Sequence, residues 1–249
     1  APQYFSPDND GVDDDLFIKL TANTKAQIKS WSFEILDPKG KRFWITEGRE
    51  QVTERIIWDG LSNIYKDKNG NAERVQSAMD YPYRFKITDN LGMTTVVEGV
   101  IPIDVLVIRE GNVLKMAVPS IIFESDAANF QKANSKISAA QVKKNLEILN
   151  RIAEILKKFP DYKIQIQGHA NRVTDNELEE TQDNMGEWGR GLKPLSKERA
   201  DGIKDYLVKK GVSASNITTE GMGGTKPVVN PKDKDNNWKN RRVEFILVK

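Results

Sequence analysis

The sequence predicts a chain of two domains of different class: an all-β sandwich over residues 1–109, then an α/β sandwich over 112–249. Three observations predict it. Short alternating segments separated by turn residues fill the first part. A capped amphipathic helix opens the second part after one strand. From there strands and helices alternate, as in a βαβαβ mixed sheet with its helices on one face.

With 249 residues the chain is long enough for two ordinary cores, and 38% hydrophobic against 30% charged residues describes folded protein. A formal net charge of +2 gives no reason to expect nucleic acid or an anionic membrane surface as partner. No run of about 18 apolar residues marks a membrane span, and Ala1-Pro2-Gln3 reads as a mature or trimmed start with no signal peptide. The absence of cysteine excludes disulfides, thiol catalysis and cysteine metal sites.

In the first domain, Leu16–Leu20, Ile28–Leu36, Lys41–Trp44, Tyr83–Thr88 and Thr94–Ile101 alternate as strands. Asp37-Pro38-Lys39-Gly40, Lys68-Asn69-Gly70 and Asp89-Asn90-Leu91-Gly92 are the turns between them. Trp31, Trp44 and Trp58 are expected in the core or on a sheet face. The acidic stretch from Asp8 to Asp15 has two readings. Asp8, Asp10 and Asp13 around Gly11 supply part of a calcium loop, or they form a solvated turn whose carboxylates bond the backbone.

Arg109-Glu110-Gly111-Asn112 is a polar turn and the expected domain boundary. Val113–Phe123 follows as a strand. Ser138 and Gln141 form a capping box, and Val142, Leu146, Leu149, Ile152, Ala153, Leu156 and Phe159 line one helical face until Pro160 stops it. Tyr162–Gln167 is the next strand and ends in Gly168-His169-Ala170-Asn171. The second helix is expected over Lys197 to about Lys210, with Ser196 as N-cap and Gly211 as stop, before strands Ile217–Glu220 and Val243–Val248.

That start places Arg199 in the first helical turn, where a cation opposes the helix dipole unless an anion intervenes. Arg199 therefore either helps receive a carboxylate or phosphate, or reaches sideways to Glu198, Asp201 or solvent. Right-handed crossovers make Asn171 and Arg199 neighbours. Residues 172–194 form a long acidic loop, expected either to cover a pocket with a short helix near 176–181 or to face a protein partner. His169, the only histidine, is expected as a hydrogen-bonded buried residue and not a general base. Gly221-Met222-Gly223-Gly224 lacks the lysine and hydroxyl of a P-loop and reads as a tight turn. Arg242 either assists an anionic ligand or pairs with Asp233 or Asp235.

The ordered segments G-H-A-N, L-S-K-E-R-A, G-M-G-G-T-K-P and N-R-R-V-E-F, from about Asn112 to Lys249, resemble the OmpA/MotB/Pal type of peptidoglycan-associated domain. In that family the Asp of G-H-x-D and the Arg of L-S-x-x-R-A hold the amino and carboxylate groups of a diamino acid in the peptidoglycan stem peptide. The resemblance gives Arg199 the second role and puts Asn171 at the first. It also implies Phe123 and Asp126 at the pocket edge and Arg242 beside an anionic ligand. Asn offers a neutral oxygen where Asp offers a charged one, an expected loss of about 1.5–3 kcal/mol.

The opening F-S-P-x-x-D-G-V-D-D, the strand around Trp31, the turn Trp58-Asp59-Gly60 and Tyr81-Pro82-Tyr83 resemble the immunoglobulin-like domains of FlgD and gliding-motility modules. Together the resemblances imply a non-catalytic, periplasmic, outer-membrane or wall-associated protein whose stem-peptide binding is weakened or absent and whose role is structural. The alternative is an anchor that grips peptidoglycan through Arg199. Envelope proteins are the expected partners of the immunoglobulin-like domain or of the 172–194 loop.

Overall fold

A computed structural model describes residues 4–67, 69–119, 121–124, 127–172 and 191–249. The chain forms two compact units, Ala1–Leu106 and Val107–Lys249.

Among its described residues the first unit holds eight strands: β1 (Leu16–Lys19), β2 (Ile28–Leu36), β3 (Arg42–Glu50), β4 (Arg55–Trp58), β5 (Leu61–Lys66), β6 (Ala72–Arg74), β7 (Asp80–Asp89) and β8 (Thr94–Pro102). They make an antiparallel sheet in the order β3-β2-β7-β8 and two ribbons, β1–β4 and β5–β6. Three hairpin turns share one construction, Asp-x-x-Gly. The Oδ1 atoms of Asp37, Asp67 and Asp89 each accept the backbone N–H groups two and four residues on. Gly40, Gly70 and Gly92 take the positive φ, 80° to 84°, that closes each turn.

One face of the sheet buries Trp31, Phe33, Ile35, Tyr81 and Phe85. Phe43 of β3 meets Trp58 of β4 at 6.4 Å and Tyr81 of β7 at 5.2 Å, which ties the ribbon β1–β4 to the sheet. The indole N–H groups of Trp31 and Trp58 donate to Gln51 O and Leu61 O, so both rings are satisfied inside the unit. On the opposite face Arg42, Glu34, Arg84 and Glu98 form a ladder of alternating charge across all four strands.

The second unit has a five-stranded sheet in the order β12-β11-β13-β10-β9. Its strands are β9 (Ile108–Glu110), β10 (Val113–Val118), β11 (Lys163–His169), β12 (Ile217–Gly223) and β13 (Val243–Val248), with helices α1 (Ala139–Leu156) and α2 (Leu192–Lys209). The capping box of α1 is formed: Gln141 N–H donates to Ser138 Oγ, and Ser138 N–H to Gln141 Oε1. β10 ends at Val118 and not at Phe123, because Pro119 has no N–H to extend the ladder.

α2 starts earlier than its sequence suggests. Gly191 is the N-cap, and Ser196 lies inside the helix, fully buried. Pro194 misleads here: in a first turn its missing N–H is one that the helix leaves unbonded anyway. Ser196 Oγ instead donates to Lys193 O and accepts from Gly223 N, each at 2.9 Å. No helix among the described residues is long and apolar enough to cross a membrane.

α2 crosses over between the parallel strands β11 and β12 and lies backbone against backbone on their ends. A Cβ at Gly168 would stand 2.1 Å from Ser196 O, and one at Gly221 2.3 Å from Lys193 O. Gly168→Ala is expected to lower stability by about 1–3 kcal/mol, the ordinary cost of overpacking. Urea denaturation checks it, and an unchanged midpoint would show that α2 moves aside at no cost.

Candidate ligand site at the carboxyl end of β11

The contact of Gly168 with Ser196 fixes the site, since Asn171 and Arg199 each lie three residues beyond it. Arg199 is the eighth residue of α2, two turns in, so it does not face the unbonded N–H groups of the helix start. Its Nε donates to Ala127 O at 3.0 Å and its Nη2 to Glu124 O at 3.3 Å. The guanidinium carbon sits 4.9 Å from the centroid of Phe123. Of the expected residues, Arg199 and Phe123 are thus brought together. Asp126 lies outside the described residues, as do 173–190 of the acidic loop.

The loop that receives Arg199 is held by a residue the sequence reading passed over. Asn145 of α1, fully buried, accepts from Ile122 N and donates to Ile122 O and Phe130 O. Phe130 in turn meets Phe123 edge-on at 5.6 Å. Glu124 Oε2 accepts from Asn129 and Asn134, and these bonds hold its carboxyl below the ordinary range. Asn145→Leu keeps the branched shape but removes the partners of three backbone groups, of which Phe130 O is buried and costs about 1–3 kcal/mol to leave unbonded. It is expected to lower stability and to release Phe123 from Arg199, read as altered amide shifts of residues 121–130; shifts that stay in place would show that the loop holds itself.

Asn171 belongs to a different set of bonds. Its Oδ1 accepts from Asn240 Nδ2 at 2.8 Å, and its Nδ2 donates to Arg172 O at 3.2 Å and Pro231 O at 3.3 Å. Asn240, fully buried and read from the sequence only as the first residue of N-R-R-V-E-F, further bonds Val228 N, Val229 N and Val229 O. The only sequence signal for it is its place directly before Arg241-Arg242.

Arg242 is buried and pairs with Glu244, Nε to Oε1 at 2.6 Å, and not with Asp233 or Asp235. Residues two apart in extended chain share a face, so Arg242, just before β13, meets the second residue of that strand. Its Nη2 also donates to Lys226 O at 3.2 Å. Lys115 joins Glu244 at 3.0 Å. Burial alone would raise the Glu244 carboxyl, but Arg242 and Lys115 outweigh it and hold it below its ordinary value.

His169 stands 3.8 Å from Glu244, buried, with neither ring nitrogen in a hydrogen bond, so the expected bond is not formed. Burial, and next the Arg242 cation, push it down from 6.5 to about 4. A histidine so depressed stabilises the fold fully above pH 6.5, and the contribution, roughly 3 kcal/mol, disappears as pH falls to about 4. Thermal unfolding is expected to show that loss between pH 6.5 and 4, with His169→Gln flattening the profile; an unflattened profile would place the loss on other groups.

In the acidic stretch the structure groups Asp8, Asp10 and Asp14, whose carboxylate oxygens lie within 4.8 Å of one another; Asp13 is not among them. Asp13 adopts a positive φ of 55° that redirects the chain. Asp14 accepts from Asn9 N and Gly11 N, and Asp10 from Val12 N, so these carboxylates shape the turn. Three such oxygens are few for calcium, which takes six to eight ligands.

Residues 129–241 match the OmpA family. The chain is 36% identical over 109 residues to the peptidoglycan-binding protein ArfA of Mycobacterium tuberculosis (strain ATCC 25618 / H37Rv), a match covering 44% of this chain and 29% of that protein. It is 36% identical over 98 residues to the peptidoglycan-associated lipoprotein of Buchnera aphidicola subsp. Baizongia pistaciae, covering 39% and 49%. The match thus spans less than half the length of these relatives. The periplasmic domain of Helicobacter pylori MotB aligns with a TM-score of 0.43 at 20% identity, covering 57% of this chain and 78% of that one. Asn171, Asn240 and Arg199 all lie within the stretch that matches the OmpA family.

Proposed function

We propose that this protein is a non-catalytic component of the bacterial cell envelope whose OmpA-like domain has a modified stem-peptide site, with wall binding weakened or absent and a structural or interaction role. The observation that carries this reading is the engagement of Asn171. Its one side-chain oxygen already accepts from Asn240, and its amide N–H₂ donates to the carbonyls of Arg172 and Pro231. A ligand ammonium would want an anion and those same carbonyls, and the carboxamide supplies no charge while occupying the acceptors itself. The strand-rich first unit fits an immunoglobulin-like spacer or interaction module, and the kinship with a peptidoglycan-associated lipoprotein supports a periplasm-facing, outer-membrane or wall-associated location.

A second reading keeps peptidoglycan as ligand. Relatives named for peptidoglycan, and Arg199 set against Phe123, favour an anchor that holds a stem-peptide carboxylate. Calorimetry with a muropeptide carrying a free diamino-acid terminus separates the two. The wild type is expected to bind weakly or not at all, and Asn171→Asp to strengthen binding about ten- to a hundredfold, the worth of a charge-assisted bond over a neutral one. Tight wild-type binding abolished by Arg199→Ala would overturn the weakened-site reading in favour of the anchor.

A further inference from the structure

β8 pairs with β7 along an unbroken register from Thr94↔Thr88 to Pro102↔Asp80, and no strand of the described residues continues the sheet beyond it. β1 likewise pairs only with β4. Natural sheets protect such edges with lysine, internal proline or a bulge. β8 has no lysine and no bulge, and its proline stands at its end. Val96, Val97 and Val100 are 46%, 52% and 55% exposed, on both faces of the strand.

Between β1 and β8 lies a cavity of about 510 Å³ walled by Leu16, Ile18, Phe33, Tyr83, Phe85 and Val97. One end of the β8 edge already takes an extended chain. Phe5 bridges in parallel to Ile103, with Phe5 N–H donating to Pro102 O and Asp104 N–H to Phe5 O. From Ile101 back to Thr94 the edge has no such pairing among the described residues.

Beside the cavity, the β1–β4 ribbon carries uncompensated charge. Lys19, which also lines the cavity, directly opposes Arg55 across the β1–β4 ribbon, and neither has an ion-pair partner among the described residues. Like charges so placed repel unless an anion joins them. Beside them Phe17 and Ile57, also directly opposed, are 74% and 61% exposed.

We infer that the open side between β1 and β8 docks an extended strand of a partner protein, whose alternate apolar side chains enter the cavity and whose acidic residue meets Lys19 and Arg55. Backbone bonds to the edge supply affinity, and the cavity and cations supply register. A second copy of β8 does not fit the charge requirement. Its only acid, Glu98, is held by Arg84 at 2.7 Å. A bilayer surface would use neither the backbone row nor the recess.

The test uses the full chain and a fluorescein-labelled nonapeptide of alternating valine and threonine ending in aspartate, followed by fluorescence anisotropy. Saturable binding is expected, weakened at least tenfold when the threonines become prolines or the terminal aspartate becomes lysine. Val97→Lys, at a half-exposed position, is expected to abolish binding, and Lys19→Glu to reverse the preference between the aspartate and lysine peptides. No saturable binding, or equal binding of the proline peptide, overturns the proposal. So does a concentration-dependent dimer in sedimentation that Val97→Lys dissolves, which assigns the edge to a second copy. Capture by phosphatidylglycerol vesicles that Lys19→Glu and Val97→Lys abolish, with the peptide left unbound, assigns it to lipid and overturns the proposal equally.

Discussion

The second unit depends on a place where two backbones touch without side chains between them. Gly168 on β11 and Gly221 on β12 lie under the first turns of α2, at separations that no Cβ could share. That closeness lets Ser196 reach Gly223 N from inside the helix, so a hydroxyl that would be costly to bury is instead bonded on both sides. It also sets where the chain leaves β11 and where the next turn of α2 points. Asn171 and Arg199 take their places from this seam, and neither could be moved without shifting strand and helix together.

Around the seam the unit separates its charges from its amides. Charge is concentrated on Arg242, Glu244 and Lys115, with His169 kept neutral because a third cation there would face burial and two like charges. The amides Asn145, Asn171 and Asn240 hold loops. Each bonds main-chain groups of a segment remote in sequence, Ile122 and Phe130, Pro231, and Val228 with Val229. A carboxylate could accept from such segments but could not donate to their carbonyls. Asparagine at position 171 therefore both accepts from Asn240 and donates to the Arg172 and Pro231 carbonyls, which an ionised aspartate could not do.

How much of this the sequence displays depends on how local each cause is. The capping box of α1 and the three glycine turns are complete within five residues and were legible as a box and turns, although the role of Asp67 was not read. The start of α2 was not, because Pro194 reads alike as a helix breaker and as a first-turn residue, and the choice rests on packing against β11 and β12. β6, at three residues, is too short to show alternation. Asn145 and Asn240 could not be singled out, since their partners lie from 11 to 69 residues away. The Arg242–Glu244 pair was within reach of strand parity alone, yet more distant acids were preferred. Which of the five acids from Asp8 to Asp15 turn inward is decided by backbone angles such as the positive φ of Asp13, which composition does not carry.

The two units differ in how much interaction each leaves unrealised. A neutral hydrogen bond exchanged with water contributes about 0.5–1.5 kcal/mol, and Asn171 already makes three of them inside the fold, its oxygen shared with Asn240. Burying a valine side chain contributes about 1.5–3 kcal/mol, and β8 holds three that are half exposed. Edge N–H and C=O groups in water cost the fold nothing, whereas valines on both faces of one edge strand cost apolar exposure that a lysine or threonine would avoid. On magnitudes alone, the first unit leaves more apolar burial unrealised along β8 than Asn171 leaves hydrogen bonding in the second.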